Sequence, residues 1–235
     1  MQDFGAAFVE AFALIVNFDA QLAEIIGLSL RVTLSAVVIA CVIGLPLGAL
    51  LAVTRFPGRG LVVAVISGLM GLPPVVVGLG VYLLLSSAGP LGVLQLLYTP
   101  TAMIIAQAIL VTPIVAALTR QVVDDLHVEY DELLRSLGSS RIGTVATLLW
   151  DARYALLTAA LAGLGRAFAE VGAVMIVGGN INHVTRVMTT AIALETSKGA
   201  LALALGLGII LVCLSVLINA GLMGLRRTAE RMAYA

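Results

Sequence analysis

Residues 60–119 contain no Asp, Glu, Lys, Arg or His. Residues 32–54 and 199–225 are equally free of charge. Each run exceeds the ~18 apolar residues that mark a membrane-spanning helix. A soluble core could not bury so much unbroken apolar chain. Charged residues make up only 11% of the sequence and apolar residues 61%, whereas a soluble domain carries roughly 25% charge. The net charge of zero leaves no basic footprint for nucleic acid. The expected fold class is therefore all-α, a polytopic transmembrane helical bundle in contact with lipid.

The apolar pattern predicts five spans, at about 25–53, 61–85, 101–119, 154–177 and 201–224. Pro73-Pro74 removes two backbone donors and breaks or kinks the second. Lipid tolerates such a gap only where protein or a cavity covers it. Arg55, Arg59, Arg120, Arg135, Arg141, Arg153, Arg226, Arg227 and Arg231 gather at one set of span ends; Arg31, Arg186 and Lys198 lie at the other. Positive charge prefers the cytoplasm, so the N-terminus is expected outside and the C-terminus inside. Three parts follow: 1–24 as an extracytoplasmic or interfacial segment, 25–225 as the membrane domain, and 226–235 as a cytoplasmic tail. Residues 3–18 read as an amphipathic helix on the outer surface, with a weakly apolar sixth span as the alternative. The start Met1-Gln2-Asp3-Phe4 lacks a basic region, so no cleaved signal peptide is expected.

One polar island interrupts the apolar chain. Residues 120–153 hold ten of the 26 charged residues. Within 124–137, Leu126, Tyr130, Leu133, Leu134 and Leu137 recur at spacings of three and four, as on one helix face. Gly138 follows as a C-cap would, and Ser139-Ser140 can cap a second helix. The island reads as helix, tight turn, helix; the plainer alternative is a solvated loop. Cys41 and Cys213 read as small buried residues, and His127 and His183 as loop residues. The scattered methionines read as packing, and no metal-ligand spacing is present.

The segment Glu132-Leu-Leu-Arg-Ser-Leu-Gly138 resembles the EAA loop of permease subunits of bacterial ATP-binding cassette importers. That loop reads Glu-Ala-Ala, three residues, Gly, nine residues, Ile-x-Leu-Pro. Glu132 and Gly138 match at that separation, and Leu148 takes the Ile place. Leu133-Leu134 replaces the Ala pair, and Trp150-Asp151 replaces Leu-Pro. Gly71-Leu-Pro-Pro-Val-Val-Val-Gly78 looks like the proline-containing span of molybdate, tungstate and sulfate permeases. Arg166-Ala-Phe-Ala-Glu170-Val-Gly172-Ala173 and Val177-Gly-Gly-Asn180-Ile181 look like the block after their loop. Residues 186–199 look closest to the tungstate members. The resemblance runs from about residue 25 onward.

The resemblance implies a type I importer permease (MetI-like) fold in the cell membrane. It also implies a homodimer, two ATP-binding cassette ATPase subunits and an extracytoplasmic oxyanion-binding protein. The cargo would be a tetrahedral oxyanion, tungstate foremost, with molybdate or sulfate as alternatives. Residues 120–153 would be the coupling loop. Glu129, Glu132, Leu133, Leu134, Arg135, Leu137, Gly138 and Arg141 would meet the ATPase, the leucines as anchors and the charges as a rim. This chain has no phosphate-binding Gly-x-x-x-x-Gly-Lys-Ser/Thr loop. ATP and Mg would therefore sit on the partner subunit, and no cofactor or metal is expected here.

Pro73, Pro74, Gly78, Arg166, Glu170, Gly172, Gly179 and Asn180 are the candidates for the path or gate. Arg166 and Glu170 stand four apart, as on one helix face. Intramembrane charge costs at least ~2.5–3.5 kcal/mol. The two read either as an internal ion pair or as groups along the anion route. Tyr98, Thr99, Thr101 and residues 180–198 are candidates for the seat of the binding protein. A secondary transporter would need coupling-ion sites or inverted repeats, and none is visible. An intramembrane enzyme would need a nucleophile with a base; Glu170 is the only deep carboxylate, and Ser67 and Ser215 have no base, so no catalytic residue is assigned.

Overall fold

The computed structural model describes Val9, Ala13 and residues 20–233. The segment 3–18 thus lies, apart from those two residues, outside the described part. Among the described residues the regular structure is helical and includes no strand. In chain order the helices are α1 (Ala20–Val53), α2 (Arg59–Leu69), α3 (Pro74–Leu85), α4 (Pro100–Ser136), α5 (Arg141–Asp151), α6 (Arg153–Phe168), α7 (Gly172–Gly178), α8 (Met188–Lys198) and α9 (Leu201–Ala233). A 3-10 turn, Gly92–Leu94, lies between α3 and α4. The all-α expectation holds.

Gln21–Val53, Pro100–Ser136 and Leu201–Gly221 are each long and apolar enough to cross a membrane. Two broken pairs, Arg59–Leu69 with Pro74–Leu85 and Arg141–Asp151 with Arg153–Phe168, are apolar enough to raise the number to five. The first break is the one that Pro73-Pro74 predicts. Pro73 is extended, with ψ 124°, and Pro74 opens α3 at its first position, where a missing N–H costs nothing.

Three boundaries differ from the sequence reading. The third span does not stop at 119, and no separate helix begins at 124: α4 is one 37-residue helix. Charge ends an apolar run but not a helix, since Glu, Gln and Arg favour helix outside lipid and Asp124 and Asp131 are paired with arginines. The fourth span is not continuous over 154–177, because α6 ends at Phe168 and α7 begins at Gly172. α9 runs past 224 to Ala233. Cys213, expected to be buried, is exposed on α9.

The chain divides into two compact units. The first is Met1–Ser35, Pro73–Gln107 and Phe168–Asn219. A cluster of Leu22, Ile25, Met188, Ala191 and Leu207 forms one part of its core. Here α3 crosses α7 at the closest approach: a Cβ on Gly78 would lie 2.8 Å from the Ala173 Cα.

The second unit is Ala36–Leu72, Ala108–Ala167 and Ala220–Ala235. In it α4 packs between α1 and α6. A Cβ on Gly44 would stand 3.0 Å from Val115, and one on Gly48 would strike the Ala116 carbonyl and come 2.8 Å from the Thr119 Cβ. From α6, a Cβ on Gly163 would meet Val111 at 2.7 Å. Small residues permit this approach where lipid supplies no hydrophobic drive between helices. Arg59 closes the end of α1: its Nε donates to the Leu51 carbonyl at 2.7 Å, and its guanidinium pairs with Asp124 of α4 at 3.3 Å.

Gly48→Val should lower the thermal stability of the purified chain by about 1–3 kcal/mol, the typical cost of overpacking. Gly68→Ala meets nothing within 4 Å and should leave the melting temperature unchanged in the same assay.

Candidate functional site

The polar island folds as a hairpin of the second unit. At its tip Gly138 adopts φ +67°. Its N–H donates to the Arg135 carbonyl at 3.0 Å, and the Ser139 N–H donates to the Leu134 carbonyl at 3.0 Å. This Schellman arrangement satisfies the carbonyls that a helix end leaves open, and the left-handed position favours glycine. Ser140 then caps α5, its Oγ accepting from the Gly143 N–H at 3.1 Å. α5 and α6 meet at 78° across Ala152. The helix–turn–helix reading of the sequence is what the structure contains, with α4 supplying the first helix.

The five apolar positions do not act as one face. Leu126, Tyr130 and Leu134 pack against the cluster of Ala49, Ala52, Val123 and Leu148. Leu133 and Leu137 stay outside, 55% and 72% exposed. Ile142, not singled out from sequence, is 80% exposed. It stands at the second position of α5, off the line of buried Thr144 and Leu148, and that offset was the available signal. Glu129, Glu132, Arg135 and Arg141 are exposed around these side chains. Arg135 pairs with Asp131 at 2.8 Å. The tip of the hairpin thus offers Leu133, Leu137 and Ile142 within a charged surround, a shape that fits a groove on a partner, and Val128 and Trp150 are exposed further from the tip.

The other candidates fall mainly in the first unit. Pro73, Pro74, Gly78, Glu170, Gly172, Gly179 and Asn180 belong to it, while Arg166 belongs to the second. Glu170 lies beyond the end of α6, so helical spacing does not set where its side chain goes relative to Arg166. Its carboxylate is instead placed by α7. Glu170 is 2% exposed, and its Oε1 accepts from the Ala173 N–H at 2.8 Å. The Glu170 carbonyl accepts from Thr189 Oγ1 at 2.9 Å. Glu170 therefore caps α7 and ties it to α8.

Gly172 meets the Val75 side chain of α3 at 3.1 Å from a would-be Cβ. After α7 the chain turns through Gly179, at φ +69°, and Asn180, at φ +50°. A Cβ on Gly179 would lie 2.8 Å from the Tyr98 ring. The Tyr98 N–H donates to the Val177 carbonyl at 2.9 Å, and its ring meets Tyr82 edge-on at 6.5 Å. Asn180 Nδ2 donates to the Thr190 carbonyl at 3.3 Å, while its Oδ1 is buried with no partner. His183, a loop residue as expected, meets Glu24 at 2.7 Å.

Several polar side chains that sequence reasoning passed over hold this non-helical stretch. Thr185 Oγ1 donates to the Gly178 carbonyl and accepts from the Ile181 N–H at 2.9 Å. Thr190 Oγ1 accepts from the Val187 N–H at 3.1 Å. Ser29 Oγ donates to the Ile25 carbonyl at 2.7 Å and accepts from the Met188 N–H at 2.8 Å. Their signal in the sequence was faint: Ser and Thr beside a glycine-rich apolar segment.

Residues 44–229 match the family described as the inner membrane component of binding-protein-dependent transport systems. The chain belongs to that family. It is 41% identical over 220 residues to the tungstate uptake system permease protein of Peptoclostridium acidaminophilum, covering 94% of this chain and 96% of that one. It is 40% identical to a probable anion ABC transporter permease of Haloferax volcanii, covering 85% and 88%. A sulfate transport system permease of Synechocystis is 30% identical, covering 84% and 74%. The resemblance drawn from the island and the glycine block therefore holds. This permease is a multi-pass inner membrane protein and a transporter subunit rather than an enzyme. Membership also places it in a complex with ATPase and binding-protein partners.

Glu170→Ala should leave the Ala173 N–H buried without an acceptor and cost about 1–3 kcal/mol. Glu170→Gln keeps an acceptor at that place and should recover most of the loss. Melting curves of the two purified variants check this.

Proposed function

We propose that this chain is the membrane subunit of an ATP-driven importer that carries tungstate inward. Two copies form the pathway, and each hairpin of residues 120–153 receives one separate ATPase subunit, which holds ATP and Mg. An extracytoplasmic binding protein delivers the anion. The N-terminus lies outside and the C-terminus in the cytoplasm. One observation carries the coupling part: α4 runs as a single helix from a membrane span into the hairpin, with Leu133 and Leu137 exposed near its end. A rigid rod joined to a docking surface converts a push on that surface into motion of a span.

The cargo assignment rests on similarity. Identity of 41% to a tungstate permease over nearly both full lengths exceeds the 30% to a sulfate permease. Molybdate matches tungstate in charge and shape and is the nearest alternative. The residues assigned to the path carry no uncompensated cluster of charge. That suits a subunit which passes a dianion without trapping it and leaves selection to the binding protein. Around α3 and α7, Gly78, Gly172 and Gly179 set the close packing through which the two helices move together, and Glu170 holds the start of α7.

Proteoliposomes containing the complex and its cognate binding protein should accumulate labelled tungstate in an ATP-dependent manner, in preference to sulfate. Equal uptake of sulfate, or uptake without ATP, would refute this assignment. The hairpin makes a second, separable claim. Leu137→Asp should fold normally but fail to retain the ATPase during purification. Leu134→Asp should destabilise the chain itself, because its side chain packs on Ala49, Ala52 and Leu148. Retention of the ATPase by Leu133→Asp/Leu137→Asp would reject the docking surface.

A further inference from the structure

A groove of about 560 Å³ lies within the second unit between α1 and α6. Val38, Val42, Pro46, Leu157 and Ala160 give it almost wholly apolar walls, and Arg153 is its one charged lining residue. Along α1 it extends from Val37 to Pro46, about 14 Å at the helical rise. Arg153 stands at the first position of α6, where the apolar span meets the polar hairpin. Its guanidinium stacks over Trp150 at 4.8 Å and over Tyr154 at 4.4 Å. NH1 donates to the Trp150 carbonyl at 2.7 Å. These contacts fix the cation in place. They leave other guanidinium N–H groups open, and among the described residues Arg153 forms no ion pair with a carboxylate.

We infer that this groove binds the acyl chain of an anionic glycerophospholipid whose phosphate meets Arg153. Three features converge on that occupant. The trough is about 14 Å long and apolar, and it lies between α1 and α6, helices apolar enough to belong to spans. A single oriented cation ends it at the polar boundary. Two aromatic rings, Trp150 and Tyr154, flank that cation where the apolar helix meets the polar hairpin, the pairing of residue types found beside headgroups. Guanidinium matches phosphate in two-point geometry, and anionic headgroups attract basic residues at the membrane surface. A zwitterionic lipid would fill the trough equally well but carry its own ammonium to the Arg153 site. The bound lipid would wedge against α6 at the base of the hairpin.

The chain contains one tryptophan, Trp150, which makes the site observable. The full-length chain is reconstituted into phosphatidylcholine bilayers doped with phosphatidylglycerol or phosphatidylcholine brominated near the headgroup end of the chains. Brominated phosphatidylglycerol should quench Trp150 with a relative binding constant about fivefold higher, as one surface cation contributes. Arg153→Gln should bring the two lipids to parity. Ala160→Phe, which fills the trough and keeps the cation, should also erase most of the preference. Equal quenching of wild type by both lipids would overturn the assignment, as would a preference that survives Arg153→Gln. So would efficient disulfide formation between the Cys41 residues of two copies in native membranes, since Cys41 lines the groove and a second copy would then cover it.

Discussion

Backbone groups freed inside an apolar protein must find partners within it, and the first unit is organised by that requirement. Between Phe168 and Met188 the chain leaves regular helix twice, at residues 169–171 and 179–187. Lipid offers nothing to the N–H and C=O groups so exposed. Side chains take them up: Glu170 accepts from Ala173, Thr185 bridges Gly178 and Ile181, Thr190 accepts from Val187, and Ser29 accepts from Met188. Each such group left unmet would cost several kcal/mol in hydrocarbon. The short helix α7 exists because these side chains stand at its two ends. The glycines then follow as a second layer. Once α7 is held, Gly78 and Gly172 let α3 lie directly on it, closer than any side chain would allow.

The sequence displayed the outward punctuation of this fold but not its inward accounting. Pro73-Pro74 marks a break because proline deletes donors wherever it stands past a helix start. Gly138 and Ser140 mark the hairpin because a left-handed turn and an N-cap each demand a narrow choice of residue. The break at 169–171 carries no proline, and its apolar flanks read as one span. Its local sign is Glu170 three residues ahead of Ala173, the spacing at which a side chain accepts from the first turn of a helix. α4 outruns its apolar stretch for the converse reason. Asp124 and Asp125 end the lipid-facing stretch, yet Asp124 is paired with Arg59 and Arg120 at 3.3 Å, so the helix continues through them. Pro113 lies inside α4 without ending it, which shows how weak a lone proline is as punctuation within packed spans.

The hairpin divides its leucines according to what each must do. A stripe of period 3.6 seen in sequence suggests one apolar face and one job. The structure gives Leu134 to the interior with Leu126 and Tyr130, and gives Leu133 and Leu137 to the outside. A docking element needs both. In the docking proposed for this hairpin, outward side chains would meet the partner and inward ones would hold the element on its stem. Leu148 supplies the stem from the α5 side, fully buried against Ala49, Ala52 and Val123.

That division governs how force can travel. α4 is about 55 Å long at the helical rise, against a hydrocarbon core of ~30 Å, so a large part of it projects beyond lipid. A projecting helix free along its length would bend and absorb a push at the tip. Arg59 resists this by binding Asp124 on one side and the Leu51 carbonyl on the other, at the first carboxylates that follow the apolar run of α4. Below that clamp Gly44 seats α1 against the Val115 side chain and Gly48 seats it directly on the Ala116 carbonyl. On the coupling proposed above, a displacement at Leu137 would enter α1 as well as α4 through these contacts. The stiffness of the hairpin and the glycine content of the spans are two parts of one mechanical requirement.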